Sequence, residues 1–141
     1  MIEINNLTSF AVDKKFFIGL AKKVLKSENR ERENLSIAFV SSVKIQKINK
    51  KYRKKNKPTD VLSFEKNPDF IKDINEVIIC PAVIRKNALH YKTDFEKELE
   101  KILIHGILHI LGYNHEKSEI EAVKMEEKER YYFSKIKNSK S

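Results

Sequence analysis

The stretch from Thr93 to His115 reads TDFEKELEKILIHGILHILGYNH, and most of the predicted fold and chemistry follows from it. Apolar residues recur in this stretch at the three- and four-residue intervals of an amphipathic helix. Thr93 followed by Glu96 matches a capping box, so we expect the helix to begin near Asp94. Gly112 tolerates the left-handed conformation that ends many helices. The stretch therefore predicts a long helix with one buried face, followed by a tight turn.

Three histidines, His105, His109 and His115, lie in this stretch. Imidazoles four residues apart on a helix share a face, with about 5–6 Å between their Cβ atoms, and both can reach one zinc ion. After Gly112 the chain can turn back and bring His115 to the same point. Three neutral nitrogens leave a fourth position for water, as in catalytic zinc sites. The same nitrogens also suit iron, nickel or copper. The alternative, hydrogen-bonded histidines under a loop, leaves the close spacing unexplained.

The remaining sequence predicts an α+β fold. Short apolar or alternating runs predict strands at 2–5, 35–40, 60–64 and 76–80. Amphipathic segments predict helices at 13–26, 42–51 and 81–91, in addition to the histidine-bearing helix and one that follows Ser118. We therefore expect residues 1–141 to form one domain, in which a small mixed sheet is packed by about five helices. The three-histidine metal site should lie at the end of a central helix.

The last helix has its own start signal. Ser118 and Glu121 match a second capping box. We expect Ile120, Val123 and Tyr131 to form the apolar side of this helix.

Composition narrows the context. The chain has a single cysteine, Cys80, which lies in an apolar run and cannot form an intrachain disulfide. No apolar run is long enough to cross a membrane, and no signal-peptide pattern opens the chain. We therefore expect a cytoplasmic protein. The net charge of +9 at pH 7 favours polyanionic partners.

The distribution of the charge is more informative than its sum. Between Asn34 and Thr59 there is no acidic residue, and Ser42 is the expected N-cap of a helix in this segment. The basic residues of the segment are Lys44, Lys47, Lys50, Lys51, Arg53, Lys54, Lys55 and Lys57. Such a run is typical of a surface that contacts a phosphate backbone. A solvated helix face explains the same run equally well when the histidines are left aside.

Two segments resemble the bacterial YbeY-type endoribonucleases. One is the histidine segment from His105 to His115, HGILHILGYNH, and the other combines Tyr52-Arg53 with 58–64, PTDVLSF. The order of the predicted elements also agrees with that family. Where the family usually has an aspartate, this chain has Asn114.

The resemblance implies a metal-dependent, single-strand-specific endoribonuclease that acts in the maturation of ribosomal RNA and in ribosome quality control. It further implies single-stranded RNA, ribosomal RNA and the small ribosomal subunit as partners. Arg53 resembles the functional arginine of the family, and a guanidinium can hold a phosphate through two parallel hydrogen bonds. Zn²⁺ would activate water or polarise the phosphodiester. The nucleophile is either that water or a ribose 2′-hydroxyl. Asp60 either supports a histidine or Arg53, or caps a turn.

Two other functions fit parts of the pattern. The histidine spacing also occurs in zinc peptidases, which place a general-base glutamate directly after the first histidine. Here that residue is Gly106, and Met125 is expected in the core rather than in a methionine turn. The other is a non-catalytic RNA- or ribosome-binding module with a structural zinc. A fourth protein ligand would favour it, and His90 or Cys80 could supply one.

Overall fold

A four-stranded mixed sheet forms the centre of the computed structural model, which describes residues 1–66 and 73–140. The strands are β1 (Ile2–Asn6), β2 (Leu35–Phe39), β3 (Val61–Phe64) and β4 (Asn75–Ile79). Their order in the sheet is β1-β2-β4-β3. The β1–β2 and β2–β4 pairs are parallel, whereas β3 pairs with β4 in the antiparallel sense, with Val61 opposite Ile79. β3 is thus an edge strand.

Helices cover both faces of the sheet. They are α1 (Lys14–Ser27), α2 (Ser42–Arg53), α3 (Pro81–Tyr91), α4 (Phe95–Ile110) and α5 (Glu119–Lys140). The larger core cluster joins one face of the sheet to α1, α4 and α5, through residues such as Ile37, Leu20 and Leu103. A smaller cluster on the other face contains Ile45 of α2 and Cys80. The predicted α+β fold with a small mixed sheet and five helices is confirmed.

The N-caps of α4 and α2 differ from the predicted ones by one residue. α4 is capped by Asp94 rather than by Thr93, because the Asp94 carboxylate accepts a hydrogen bond from the backbone N–H of Lys97 at 3.0 Å. α2 is capped by Ser41 rather than Ser42. The second capping signal is confirmed, since the backbone N–H of Glu121 donates to Ser118 Oγ at 3.1 Å.

The expected apolar side of α5 was wrong. Ile120, Val123 and Tyr131 are exposed. The buried residues are Met125, Tyr132 and Ile136, which pack into the larger core cluster. Acidic and basic residues alternate around this helix, so its apolar stripe is too narrow to be recognised by period alone.

α4 packs unusually close to the sheet at Gly106. A Cβ atom built there would lie 2.8 Å from Val77 Cγ1 and 3.3 Å from Ser63 Oγ. The Ser63 hydroxyl also donates to the Gly106 carbonyl at 3.0 Å. This close approach explains a glycine in mid-helix, and it fixes the height of α4 above β3 and β4.

In the part of the chain that the structure describes, no helix is both long and apolar enough to span a membrane.

Candidate functional site

The three histidines converge at the carboxyl end of α4. His105 and His109 lie one turn apart on the helix, and the loop after Ile110 brings His115 back to them. The ring centroids are 5.3 Å apart for His105 and His115, 6.4 Å for His105 and His109, and 6.5 Å for His109 and His115. The reversal depends on Gly112, whose φ of +104° disfavours any side chain. Sequence reasoning had placed the same three rings together.

The three imidazoles supply the nitrogen ligands that zinc prefers, and the distances between their rings are close to those of a zinc site. Imidazoles that share one ion have centroids roughly 5 Å apart, given the zinc–nitrogen distance. The centroid distance between His105 and His115 is close to this value. The centroid of His109 lies roughly 1.5 Å farther from each of the other two than Zn–N bonds of ordinary length allow. Accordingly, within residues 1–66 and 73–140 no three His, Cys, Asp or Glu side chains are already placed to hold an ion.

The electrostatics of His109 favour the form that binds metals. Burial lowers the pKa of His109, and the neighbouring charges of His105, Arg53 and His115 lower it further, while Glu116 opposes them. The imidazole therefore stays neutral at neutral pH, with a nitrogen lone pair available to a metal.

Glu129 of α5 contacts the His105 ring. Its Oε2 lies 3.4 Å from Nδ1 of His105. Carboxylates that accept from the far nitrogen of a metal-binding histidine fix the orientation of the ring. Sequence reasoning missed this residue, because α5 carries several glutamates and no local pattern indicates which one faces α4.

Arg53 reaches the site along the edge strand. The last residue of α2, it donates from Nη2 to the Ser63 carbonyl at 3.0 Å. Its guanidinium carbon lies 5.5 Å from the centroid of the Phe64 ring, which also contacts Tyr52. Because Ser63 is in turn bonded to the Gly106 carbonyl, the arginine is tied to the turn of α4 between His105 and His109. The structure thus places the segment of Arg53 and 58–64 in contact with the histidine segment. In the sequence, only the family resemblance linked the two segments.

The other candidate residues have partners outside the three histidines. Asp60 Oδ1 accepts from the Thr59 hydroxyl at 3.4 Å. Cys80 is buried in the cluster on the α2 face of the sheet, with Sγ 3.6 Å from Ser42 Oγ. His90 is exposed on α3 and packs its ring against Tyr91.

Gly106 separates this site from the peptidases that share its histidine spacing. A side chain at this position would point at the buried Val77 and at Ser63, on the sheet side of α4. A glutamate here would therefore face the core rather than the histidines, so it could not act as their general base.

The basic segment forms an exposed surface next to Arg53. The lysines at the end of α2 and in the loop that follows, Lys50, Lys51, Lys54 and Lys55, are all exposed.

Together these features define an α+β protein with a three-histidine candidate metal centre and an arginine held beside it. The chain belongs to the endoribonuclease YbeY family, which it matches over residues 3–137.

Individual relatives agree with this assignment. A protein of Lactobacillus gasseri named endoribonuclease YbeY is 41% identical over 109 residues, which cover 67% of this chain and 61% of the relative, less than two thirds of its length. A protein of Thermotoga neapolitana with the same name is 37% identical over 130 residues, covering 85% of each chain. The solution structure of a Thermotoga maritima protein superposes with a TM-score of 0.73, at 29% identity, over 99% of this chain and 91% of that one.

Proposed function

We propose that this protein is a metal-dependent endoribonuclease that uses Zn²⁺, or another divalent transition metal, to hydrolyse single-stranded RNA. We further propose that it acts in the cytoplasm, in ribosomal RNA maturation and ribosome quality control at the small ribosomal subunit. The names of its relatives support RNA cleavage, and the three imidazoles beside an arginine supply suitable chemistry.

One observation carries the proposal. Arg53, Ser63 and Gly106 form a continuous series of hydrogen bonds from the end of α2, across β3, to the histidine turn of α4. These bonds tie a cation suited to phosphate to the histidine turn of α4, and a guanidinium together with a bound metal would suit phosphodiester hydrolysis.

Each residue then has a definite task. His105, His109 and His115 would hold the ion, and Glu129 would orient the His105 ring. Bound zinc supplies a Lewis acid for a phosphoryl oxygen and lowers the pKa of water. The Arg53 guanidinium donates one N–H to Ser63, and its other donors can bind the scissile phosphate and stabilise the charge that develops on it. The exposed lysines beside Arg53 would attract the RNA backbone.

The accessibility of the site favours catalysis over a structural zinc. The side chain of His115 is 45% exposed, so a substrate can approach the three histidines. The candidates for a fourth ligand, Cys80 and His90, lie elsewhere in the fold.

Cleavage by metal-defined protein tests the proposal. Purified protein, loaded with one zinc ion per chain, is incubated with end-labelled single-stranded and duplex RNA. Cutting of the single strand should require the metal and should be lost in His109→Ala. In Arg53→Lys, zinc content should be unchanged and kcat should fall by roughly 10²-fold or more, since a lysine lacks the planar donor set.

Arg85→Lys is the matched control. Arg85 also lies over aromatic rings, those of Phe10 and Phe95, but on another part of the molecule, so its replacement should leave cleavage unchanged. Tight RNA binding without cutting, in wild type and variants alike, would contradict the proposal and favour the binding module.

A further inference from the structure

Glu28 is a partly buried residue at the carboxyl end of α1, and its side chain is 9% exposed. The Tyr113 hydroxyl donates to its Oε1 at 2.7 Å. Its Oε2 accepts from Lys128 Nζ at 3.1 Å and from the Tyr132 hydroxyl. The carboxylate therefore joins three parts of the chain: the end of α1, the loop that carries His115, and α5.

This is an unfavourable place for a negative charge. The carboxyl end of a helix carries the negative end of its dipole, and burial removes the hydration of the carboxylate. Burial raises the pKa of Glu28, but the hydrogen bonds from Tyr113, Tyr132 and Lys128, together with the Lys128 charge, lower it below its usual value. The three donors therefore more than offset the cost of burial, and the carboxylate stays charged at neutral pH as their common acceptor.

Through Tyr113, the Glu28 carboxylate contacts the turn that precedes His115. Tyr113 directly follows Gly112, and its own N–H donates to the Leu108 carbonyl at 3.1 Å. Asn114 stabilises the next turn, since its Oδ1 accepts from the Glu116 N–H at 2.9 Å. These two bonds are local to the turn and α4. The Tyr113 hydroxyl instead reaches 85 residues back along the chain, to the end of α1.

We propose that Glu28, acting through the Tyr113 hydroxyl, is a positioning residue that holds the loop so that His115 faces His105 and His109. This inference rests on the metal site proposed above. A loop that is already ordered gives up little entropy when an ion binds, whereas a loose loop must be ordered at the expense of affinity. Tyr132 and Lys128 bind the same carboxylate from α5, and neither belongs to the loop.

Two variants separate positioning from general stabilisation. Tyr113→Phe and Tyr132→Phe each delete one hydroxyl donor to Glu28, and Tyr132→Phe also removes the hydrogen-bond partner of Ser27. Both should lower the melting temperature. Only Tyr113→Phe should weaken zinc binding, by roughly tenfold, the lower end of the range for groups that orient metal ligands. In the Co²⁺-loaded protein, only Tyr113→Phe should alter the visible absorption bands, which report the ligand geometry.

Equal losses of zinc affinity in the two variants, or none in Tyr113→Phe, would overturn the inference. Hydrogen exchange of the metal-free protein supplies an independent measurement. Amides 112–116 should exchange faster in Tyr113→Phe than in Tyr132→Phe, and equal rates would overturn the inference. If the wild-type protein binds neither zinc nor cobalt, the proposed function fails, and the exchange rates alone decide whether Glu28 holds the loop.

Discussion

Replacing Gly106 with alanine tests how closely α4 must approach the sheet. The new Cβ would lie 2.8 Å from Val77 Cγ1, well inside ordinary van der Waals contact. Val77 is fully buried on β4, between two neighbouring strands, and its β-branched side chain has little freedom to rotate away. Helix α4 must therefore move outwards, or the sheet must deform.

Two opposing effects set the magnitude. Alanine is better than glycine in a helix interior by about 1 kcal/mol. Overpacking a filled core costs about 1–3 kcal/mol, and strain on the bond from Ser63 to the Gly106 carbonyl adds about 1 kcal/mol. We expect Gly106→Ala to lower the free energy of unfolding by about 1–3 kcal/mol, measured by equilibrium urea denaturation.

Gly19→Ala is the matched control. Gly19 lies in mid-helix in α1, and a Cβ there meets nothing within 4 Å, so this change should stabilise the protein by up to about 1 kcal/mol. Adding Val77→Ala to Gly106→Ala should make the combined loss smaller than the sum of the two single losses. The reasoning would be refuted if Gly106→Ala were as stabilising as Gly19→Ala, or if the two losses were additive.

Three further predictions concern charge. Because the folded pKa of Glu28 lies below its usual 4.5, its contribution is complete above that pH and is lost as the pH falls through the folded value. Glu28→Gln should lower stability at neutral pH by about 1–3 kcal/mol, and the loss should shrink towards pH 3; a pH-independent loss in urea titrations would contradict it. Zinc affinity, measured by competition with a chelator, should fall as the pH drops through about 6.5, and unchanged metal content between about pH 7.5 and 5 would argue against histidine ligation. Replacing the four exposed lysines near Arg53 with glutamine should weaken RNA binding and reduce the slope of log K against log salt by up to about 3, and an unchanged slope would place the RNA elsewhere. These lysines are Lys50, Lys51, Lys54 and Lys55.

Short-range features of this protein could be predicted from the sequence. Helix α3 starts at Pro81 and ends at Tyr91 as expected, and α5 is capped by Ser118. The meeting of His105 and His109 follows from helical spacing alone, and Gly112 made the return of His115 plausible. Interactions between residues a few positions apart determine all of these features, so the order of the amino acids contains them.

Contacts between distant segments could not be predicted in this way. Three contacts of the site join residues on different elements. They are the contact between Glu129 and His105, the hydrogen bond from Tyr113 to Glu28, and the hydrogen bond from Arg53 to the Ser63 carbonyl. The error on α5 has the same origin, since Ile120 is exposed and Tyr132 is buried according to where α1 and α4 lie.

Helical period, capping and turn preferences act locally, so the elements, the three candidate ligands and the basic segment can be predicted from the order of the amino acids. Which residues support those ligands depends on how distant segments pack together. Packing of α4 on the sheet at Gly106 sets the height of the histidines. The antiparallel edge strand β3 accepts the hydrogen bond that holds Arg53 of α2, and α5 supplies Glu129. These placements depend on how whole surfaces fit together, and surface complementarity is a property of the folded chain.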